Sequence, residues 1–200
     1  MKRLILATGN AHKAEEFARM FTQAGLPCEV ASARSVGGMP IVEEISGTFS
    51  GNARLKANAL KLLAPPGTWV LADDSGLSCD ALGGAPGVDS AIYAGPRATD
   101  AENRTKLLGA LAGVPSARRT ARFTCHLVLL GPNHEEAEFT GHCEGSILEA
   151  EHGSGGFGYD NLFVPAGYTQ TFGELPAATK DELSHRAKAF AALATWLRLA

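Results

Sequence analysis

The chain has no Cys-x-x-Cys pair, and its four cysteines, Cys28, Cys79, Cys125 and Cys143, are scattered over 200 residues. That scatter excludes a disulfide framework or a zinc ribbon and suits a reducing compartment. Long apolar runs are missing as well. Behind the basic residues Lys2-Arg3 stands only Leu4-Ile5-Leu6-Ala7, too short for a signal-peptide core or a membrane span. A cytoplasmic protein without a membrane partner is therefore expected. No block of Lys or Arg occurs, and the formal net charge is -3. Affinity for a nucleic-acid polymer needs many phosphate contacts, so no such partner is expected; a free nucleotide needs only a few local cations. Internal repeats, low-complexity tracts and long linkers are also lacking. One α/β domain over residues 1–200 follows, and a chain of this size buries roughly 70% of its unfolded surface.

The pattern that is present is mixed α/β. Leu4 to Ala7 reads as a buried strand, Thr8-Gly9-Asn10 as a turn able to cap a helix, and Ala14, Phe17, Ala18 and Phe21 as that helix's apolar stripe. Glu15 and Glu16 are assigned to its first turn, and Gly25 marks its stop. A second strand is predicted over residues 29–32. A helix follows over about 48–64, with Phe49, Ala53, Ala57, Leu60 and Ala64 inward, ended by Pro65-Pro66-Gly67. The run Trp69-Val70-Leu71-Ala72 is the next strand, and the Gly- and Pro-rich segment 82–87 is loop. A helix is expected from near Asp100 to Ala112, then a hairpin of residues 122–130 and 135–143 through Gly131-Pro132-Asn133. The last helix is predicted to start on a capping box at Thr179-Lys180-Asp181-Glu182 and to bury Leu183, Ala187, Phe190, Ala194 and Leu197.

Several groups in this frame are candidates for chemistry. The buried run 69–72 drops into Asp73-Asp74 and then Ser75-Gly76. Acids at a strand's carboxyl end suit a divalent cation holding phosphates, because open α/β sheets bind ligands there; a simple turn is the alternative. Neighbouring side chains in an extended segment face opposite ways, so the two acids should not share one cation, and Asp74 is taken as the inward one. Thr8-Gly9-Asn10-Ala11-His12-Lys13 lies between a strand and a helix. Backbone N–H groups, the helix dipole and a lysine can converge there on an anion, although the Walker A spacing is missing; the alternative is a capped helix with a solvated lysine. Lys56 stands at the edge of an apolar helix face, with Glu43-Glu44 upstream, where a snorkelling lysine and plain surface glutamates are the more common arrangement.

Gly153-Ser154-Gly155-Gly156-Phe157-Gly158 matches Gly-x-Gly-x-x-Gly literally but runs into Tyr159-Asp160 and no predicted helix, so a Rossmann reading is rejected. A turn exposing Phe157 and Tyr159 beside an acid could stack a base; core aromatics are the alternative. Ser184-His185-Arg186, after Lys180, offers the donors that a purine 6-keto oxygen accepts, against the alternative of a solvated helix start. Cys125-His126 and His142-Cys143 could also meet across the hairpin as a Cys/His metal cluster.

Taken in order, these motifs resemble the inosine triphosphate pyrophosphatase family. The resemblance rests on Thr8-Gly9-Asn10 with Lys13, Thr48-Phe49 with Asn52-Ala53 and Lys56-Ala57, Ala72-Asp73-Asp74-Ser75-Gly76-Leu77, Gly83-Gly84-Ala85-Pro86-Gly87, Gly155 to Asp160, and Ser184-His185-Arg186. It implies hydrolysis of ITP, dITP and XTP to the monophosphate and pyrophosphate, with free purine nucleoside triphosphates as substrates and Mg2+ as cofactor. It also implies a homodimer and an elongated two-lobed α/β fold around a long mixed sheet, with helices flanking it and a cleft between the lobes. By the same resemblance Thr8, Gly9, Asn10, Ala11, His12, Lys13 and Lys56 would hold the triphosphate. Glu44 and Asp74 would bind the metal, and Asp74 would accept the proton. Ser75, Phe157, Gly158, Tyr159, Asp160, Lys180, His185 and Arg186 would line the nucleotide pocket, with Asp73 behind the metal site. The chain departs from the family pattern at Ser46-Gly47, where the glycine is displaced, and at Gly51, Ile92 and Asn161. A related diphosphatase acting on other modified nucleotides, or a nucleotide-binding module without hydrolysis, are the rival readings.

Overall fold

The structure is a computed structural model that describes residues 2–199. Its strands are β1 (Lys2–Ala7), β2 (Cys28–Ser32), β3 (Trp69–Cys79), β4 (Thr120–Leu130), β5 (Glu136–Ile147) and β6 (Phe163–Pro165), and they form one sheet in the order β2-β1-β3-β4-β5-β6. The helices are α1 (Ala11–Ala24), α2 (Phe49–Lys61), α3 (Asp100–Ala110), α4 (Ala177–Leu183) and α5 (His185–Leu199). β1 runs parallel to β2 and β3, whereas β5 and β6 are antiparallel, so the fold is mixed α/β with flanking helices, as predicted. The chain divides into two compact units, with three divisions falling inside the long strands β3, β4 and β5 and one inside the first turn of α5. The first holds the chain up to Asp74, Cys125–Gly141 and the residues from Ala187 on; the second holds Ser75–Thr124 and His142–Arg186.

In the first unit the sheet is covered on both faces, which is why its strands read as unbroken apolar runs. Leu4, Leu6, Trp69, Leu71, Cys125, Leu127 and Leu129 pack with Phe17, Met20 and Phe21 of α1 and with Phe190, Leu193 and Leu197 of α5. The alternate residues Ile5, Ala7, Val70, Ala72, Val128 and Leu130 pack with Ala53, Ala57 and Leu60 of α2. The second unit buries one face: Leu77, Cys79, Ala121, Phe123, Cys143 and Ile147 pack with Leu107 and Leu111 of α3 and with Tyr159, Phe163 and Phe172. β4 shows both regimes along its length. Its residues alternate between exposed and buried from Thr120 to Phe123 and are buried without interruption from Leu127 to Leu130.

Four local expectations are corrected. On α1 the buried face is Glu16, Phe17, Met20 and Phe21, with Ala18 exposed and no acid in the first turn, because the helix begins at Ala11. β3 does not stop before Asp73; it continues as strand through Ser75-Gly76 to Cys79. The single last helix is two helices, broken where Ser184 takes an extended conformation (ψ 161), and the start of α4 is Pro176 with no side-chain cap in place of the capping box. Cys125 and Cys143 are buried core residues, while His142 bonds Thr124, and His126 bonds Thr140 and Glu138, on the other side of the hairpin. Adjacent strand residues point to opposite faces, so neither Cys-His pair can ligate one metal.

Gly25 closes α1 in the left-handed region (φ 58) and donates its N–H to the Thr22 carbonyl. Gly25→Ala is expected to lower stability by about 1 kcal/mol in urea denaturation, because alanine has a Cβ to strain at positive φ; an unchanged midpoint would contradict the capping role.

Candidate active site

β1 pairs with β3 from Leu4↔Trp69 to Ala7↔Ala72 and ends there. Asp73 and Asp74 are therefore the first residues of β3 beyond the carboxyl end of its parallel neighbour. Although they lie inside a long strand, they occupy the position relative to β1 at which an open parallel sheet presents its ligand groups.

The pleat then separates them. Asp73 continues the row of Trp69 and Leu71 toward α1, accepts a very short ion-pair contact from Lys13, and accepts a hydrogen bond from the Cys125 thiol at 3.1 Å. Asp74 continues the row of Val70 and Ala72 toward α2 and accepts from Lys56 Nζ at 2.6 Å; that ammonium also contacts Glu44 Oε2 at 2.9 Å. Each lysine is placed by its helix. Lys13 lies in the first turn of α1, whose Asn10 cap accepts the Lys13 N–H at 3.1 Å, and the Asn10 N–H is in turn held by the Thr8 hydroxyl. Gly9, Asn10, Ala11 and His12 are exposed around this turn, and Thr8 is half-buried. Lys56 is on α2, capped by Thr48. Ser46 supports the Glu44 loop by hydrogen bonds to Asn52, and a Cβ on residue 51 would lie 2.4 Å from the Ser46 hydroxyl oxygen. Gly51 and the displaced glycine thus belong to one local arrangement.

Burial of Asp74, which is 5% exposed, pushes its carboxyl up to about 6 from 3.8, against the opposing pull of Lys56 and Lys13. For Lys56 burial works against the charged form, but the attraction of Asp74 and Glu44 outweighs it and raises the ammonium above its usual value. Among the described residues, Asp74 Oδ2 is buried without a hydrogen-bond partner. A buried carboxylate oxygen left open beside a second carboxylate is a hard-oxygen donor set, the kind that magnesium takes. The residues present therefore fit that ion.

A second constellation lies in the other unit. Ser75 accepts from Arg186 at 2.8 Å, and the Arg186 guanidinium is 5.8 Å from the Phe157 ring centroid. Lys180 lies 4.6 Å over the same ring and donates to Asp160 Oδ2 at 2.6 Å. His185 stacks on Phe123 with centroids 4.7 Å apart. Arg186 is 1% exposed, and Lys180, Ser184 and His185 are buried with it, which excludes a solvated helix start. One expectation changes here: the turn does not expose Tyr159, a core residue whose hydroxyl donates to the Ser90 carbonyl at 2.8 Å, and burial pushes that phenol well above its usual range. Asp160 is buried beside Lys180 and accepts the Phe157 N–H, which braces the turn. Phe157 and Gly158 are half-exposed.

Sequence reasoning missed Cys125 as a donor to Asp73, and no local signal marks it, since the contact arises from β4 lying beside β3. Asp100 and Arg104, which hold Gly158, were also missed, although their spacing of four on a helix gives them one face.

An α/β sheet that presents lysine-paired acids just past the end of a parallel strand pair has the arrangement at which open α/β proteins bind ligands. More specifically, residues 4–196 match the Ham1 family, and the chain belongs to it. It is 51% identical over 200 residues to a dITP/XTP pyrophosphatase of Opitutus terrae, covering 98% of both chains. To a dITP/XTP pyrophosphatase of Geobacillus kaustophilus it is 47% identical, covering 96% of this chain and 93% of the relative. The solved structure of a HAM1 protein from Coxiella burnetii superposes with a TM-score of 0.88 at 35% identity, over 100% of both chains.

The raised Asp74 carboxyl has a consequence for stability. Its folded form holds a proton to higher pH than the unfolded chain does, so the stability it contributes is full below 3.8 and is lost as pH rises through about 6. With a chelator present, Asp74→Asn should gain on the unsubstituted protein by about 2–3 kcal/mol between pH 4 and pH 7 in urea denaturation. A constant difference across that range would refute the buried-carboxylate account.

Proposed function

We propose that the chain hydrolyses non-standard purine nucleoside triphosphates, ITP, dITP and XTP, to the monophosphate and pyrophosphate. The observation that carries this reading is the Asp74 carboxylate, buried, raised toward neutrality and with one oxygen open, beside two lysines from separate helices. The names of the relatives support the substrate class. Thr8 to Lys13 and Lys56 would hold the triphosphate. Glu44 and Asp74 would hold magnesium, which when bound supplies positive charge for the phosphate oxygens and acidifies water.

Water attacks the α-phosphorus, forming one P–O bond while the bond to the bridging α–β oxygen breaks and pyrophosphate departs. Asp74 accepts the water's proton. Lys13 and Lys56 offset the charge that builds on the leaving group, while Asp73 holds Lys13 in place. On the base side, Arg186, Lys180 and His185 supply donors for a 6-keto oxygen beside the Phe157 ring. Adenine presents a donor at that position, so the site's donors would be left without acceptors, and ATP is rejected. Among the described residues no helix is long and apolar enough to cross a membrane. We extend the proposal to a homodimer acting on the free nucleotide pool of the cytoplasm, with both units working as one domain.

Purified protein with magnesium should convert dITP to dIMP and pyrophosphate, with orthophosphate detected only after an inorganic pyrophosphatase is added. ATP and pyrimidine triphosphates should be much poorer substrates. Orthophosphate as the first product would refute the cleavage position, and a preference for a pyrimidine would favour the related-diphosphatase reading. Asp74→Asn should lower kcat by about 10²–10⁴-fold while nucleotide binding stays measurable by calorimetry; retention of full turnover would remove Asp74 from the chemistry.

A further inference from the structure

Phe157 stands in a glycine-rich segment that is tied down at intervals, for example by the Gly155 N–H to the Gly173 carbonyl at 2.9 Å and by the Asn161 amide to the Gly153 carbonyl at 3.1 Å. Gly153, Gly155, Gly156 and Gly158 surround it, and glycine-rich chain carries the largest backbone entropy to be lost on ordering. Gly156 (φ 72) and Gly158 (φ 63) flank the ring in the left-handed region, and a Cβ on residue 156 would lie 2.1 Å from Asp160 Oδ2. A base-stacking ring on such a segment is useful only if its backbone is pinned.

The pins come from two directions. On one side Asp160 accepts the Phe157 N–H at 2.9 Å and Lys180 holds Asp160. On the other, α3 grips the next peptide at both of its polar groups: the Gly158 N–H donates to Asp100 Oδ2 at 2.6 Å, and the Gly158 carbonyl accepts from Arg104 Nη1 at 2.8 Å. Asp100 and Arg104 are one turn apart on α3, so a single helix face supplies both contacts. Arg104 also pairs with Glu151 at 3.0 Å, at the start of the glycine-rich segment. Both grips involve a charged side chain, and such bonds are stronger than neutral ones. α3 is itself anchored by the Thr99–Glu102 capping box and by Leu107 in the core.

We propose that Asp100 and Arg104 are positioning residues for the base half of the site: they fix the Phe157 ring against Lys180 and Arg186 without touching the nucleotide. The proposal rests on the reading of Phe157 as part of the nucleotide site. It separates base-side binding from phosphate-side binding, because Lys13, Lys56 and Asp74 belong to other elements. The monophosphate product carries the base, and pyrophosphate does not.

The test compares Asp100→Ala, Asp100→Asn and Arg104→Ala with the unsubstituted enzyme, using dITP turnover, inhibition by IMP, which carries the same base as the dIMP product, and inhibition by inorganic pyrophosphate. Both alanine variants should raise KM for dITP and the inhibition constant for IMP about 10-fold, the effect of losing one charge-assisted hydrogen bond. Their kcat and their inhibition by pyrophosphate should stay within about twofold, since neither measures the ring's placement. Asp100→Asn keeps an acceptor for the Gly158 N–H and should restore IMP affinity to within about threefold. Unchanged IMP inhibition in both alanine variants, or parallel loss of IMP and pyrophosphate affinity, would overturn the proposal. Should an alanine variant fail to fold, Arg104→Gln and Glu151→Gln carry the same comparison, with a selective loss of IMP affinity supporting the clamp and no loss refuting it. If the unsubstituted protein releases no pyrophosphate from dITP, the functional reading falls and the clamp with it; an active enzyme with insensitive variants removes the clamp alone.

Discussion

Two carboxylates stand next to each other on a buried strand, and the first unit is arranged around keeping both of them charged. Burying a carboxylate without a partner costs several kcal/mol or forces it to take up a proton. β3 offsets that cost by sending Asp73 to Lys13 of α1 and, only in part, Asp74 to Lys56 of α2, one on each face of the sheet. Those two helices cover the sheet because its strands are apolar on both sides, so the packing that stabilises the unit also delivers the lysines. The acids come just past Ala72, where the pairing with β1 ends.

The compensation is unequal. Asp73 has both carboxylate oxygens engaged, one by an ammonium and one by a thiol, whereas Asp74 keeps an oxygen without a donor. The role proposed for Asp74 draws on that imbalance, since a carboxylate with every oxygen hydrogen-bonded has little tendency to take a proton or a cation. The unfilled oxygen is destabilising to the fold and useful to the chemistry, a trade common at sites that handle charge.

The second unit solves a different problem. Its donors, Arg186, Lys180 and His185, are buried cations or potential cations, and each is held by a carboxylate, a hydroxyl or an aromatic face. Asp160, which the sequence offered as a group facing a base, is used to neutralise Lys180 and to close the turn that carries Phe157. Tyr159 likewise serves the core. Between Phe157 and Asp160 only Phe157 and Gly158 keep exposure, so the turn displays one ring on a braced support.

Much of the fold was legible residue by residue, because periodicity reports burial directly. The apolar runs 4–7 and 69–72, the caps at Asn10 and Thr48, and the stop at Gly25 are local features with local causes, and the mixed α/β class follows from their order. The separation of Asp73 from Asp74 was legible too, since the pleat has period two. What local pattern could not reveal is which strand lies beside which. That neighbour relation decides that β3 runs past the acids, that Cys125 reaches Asp73, and that α3 grips Gly158. Sequence determined the element types and the side-chain inventory because each depends on residues a few positions apart. The tertiary structure alone decided which of those side chains are paired, buried or left open, because burial and pairing depend on chain segments distant in sequence.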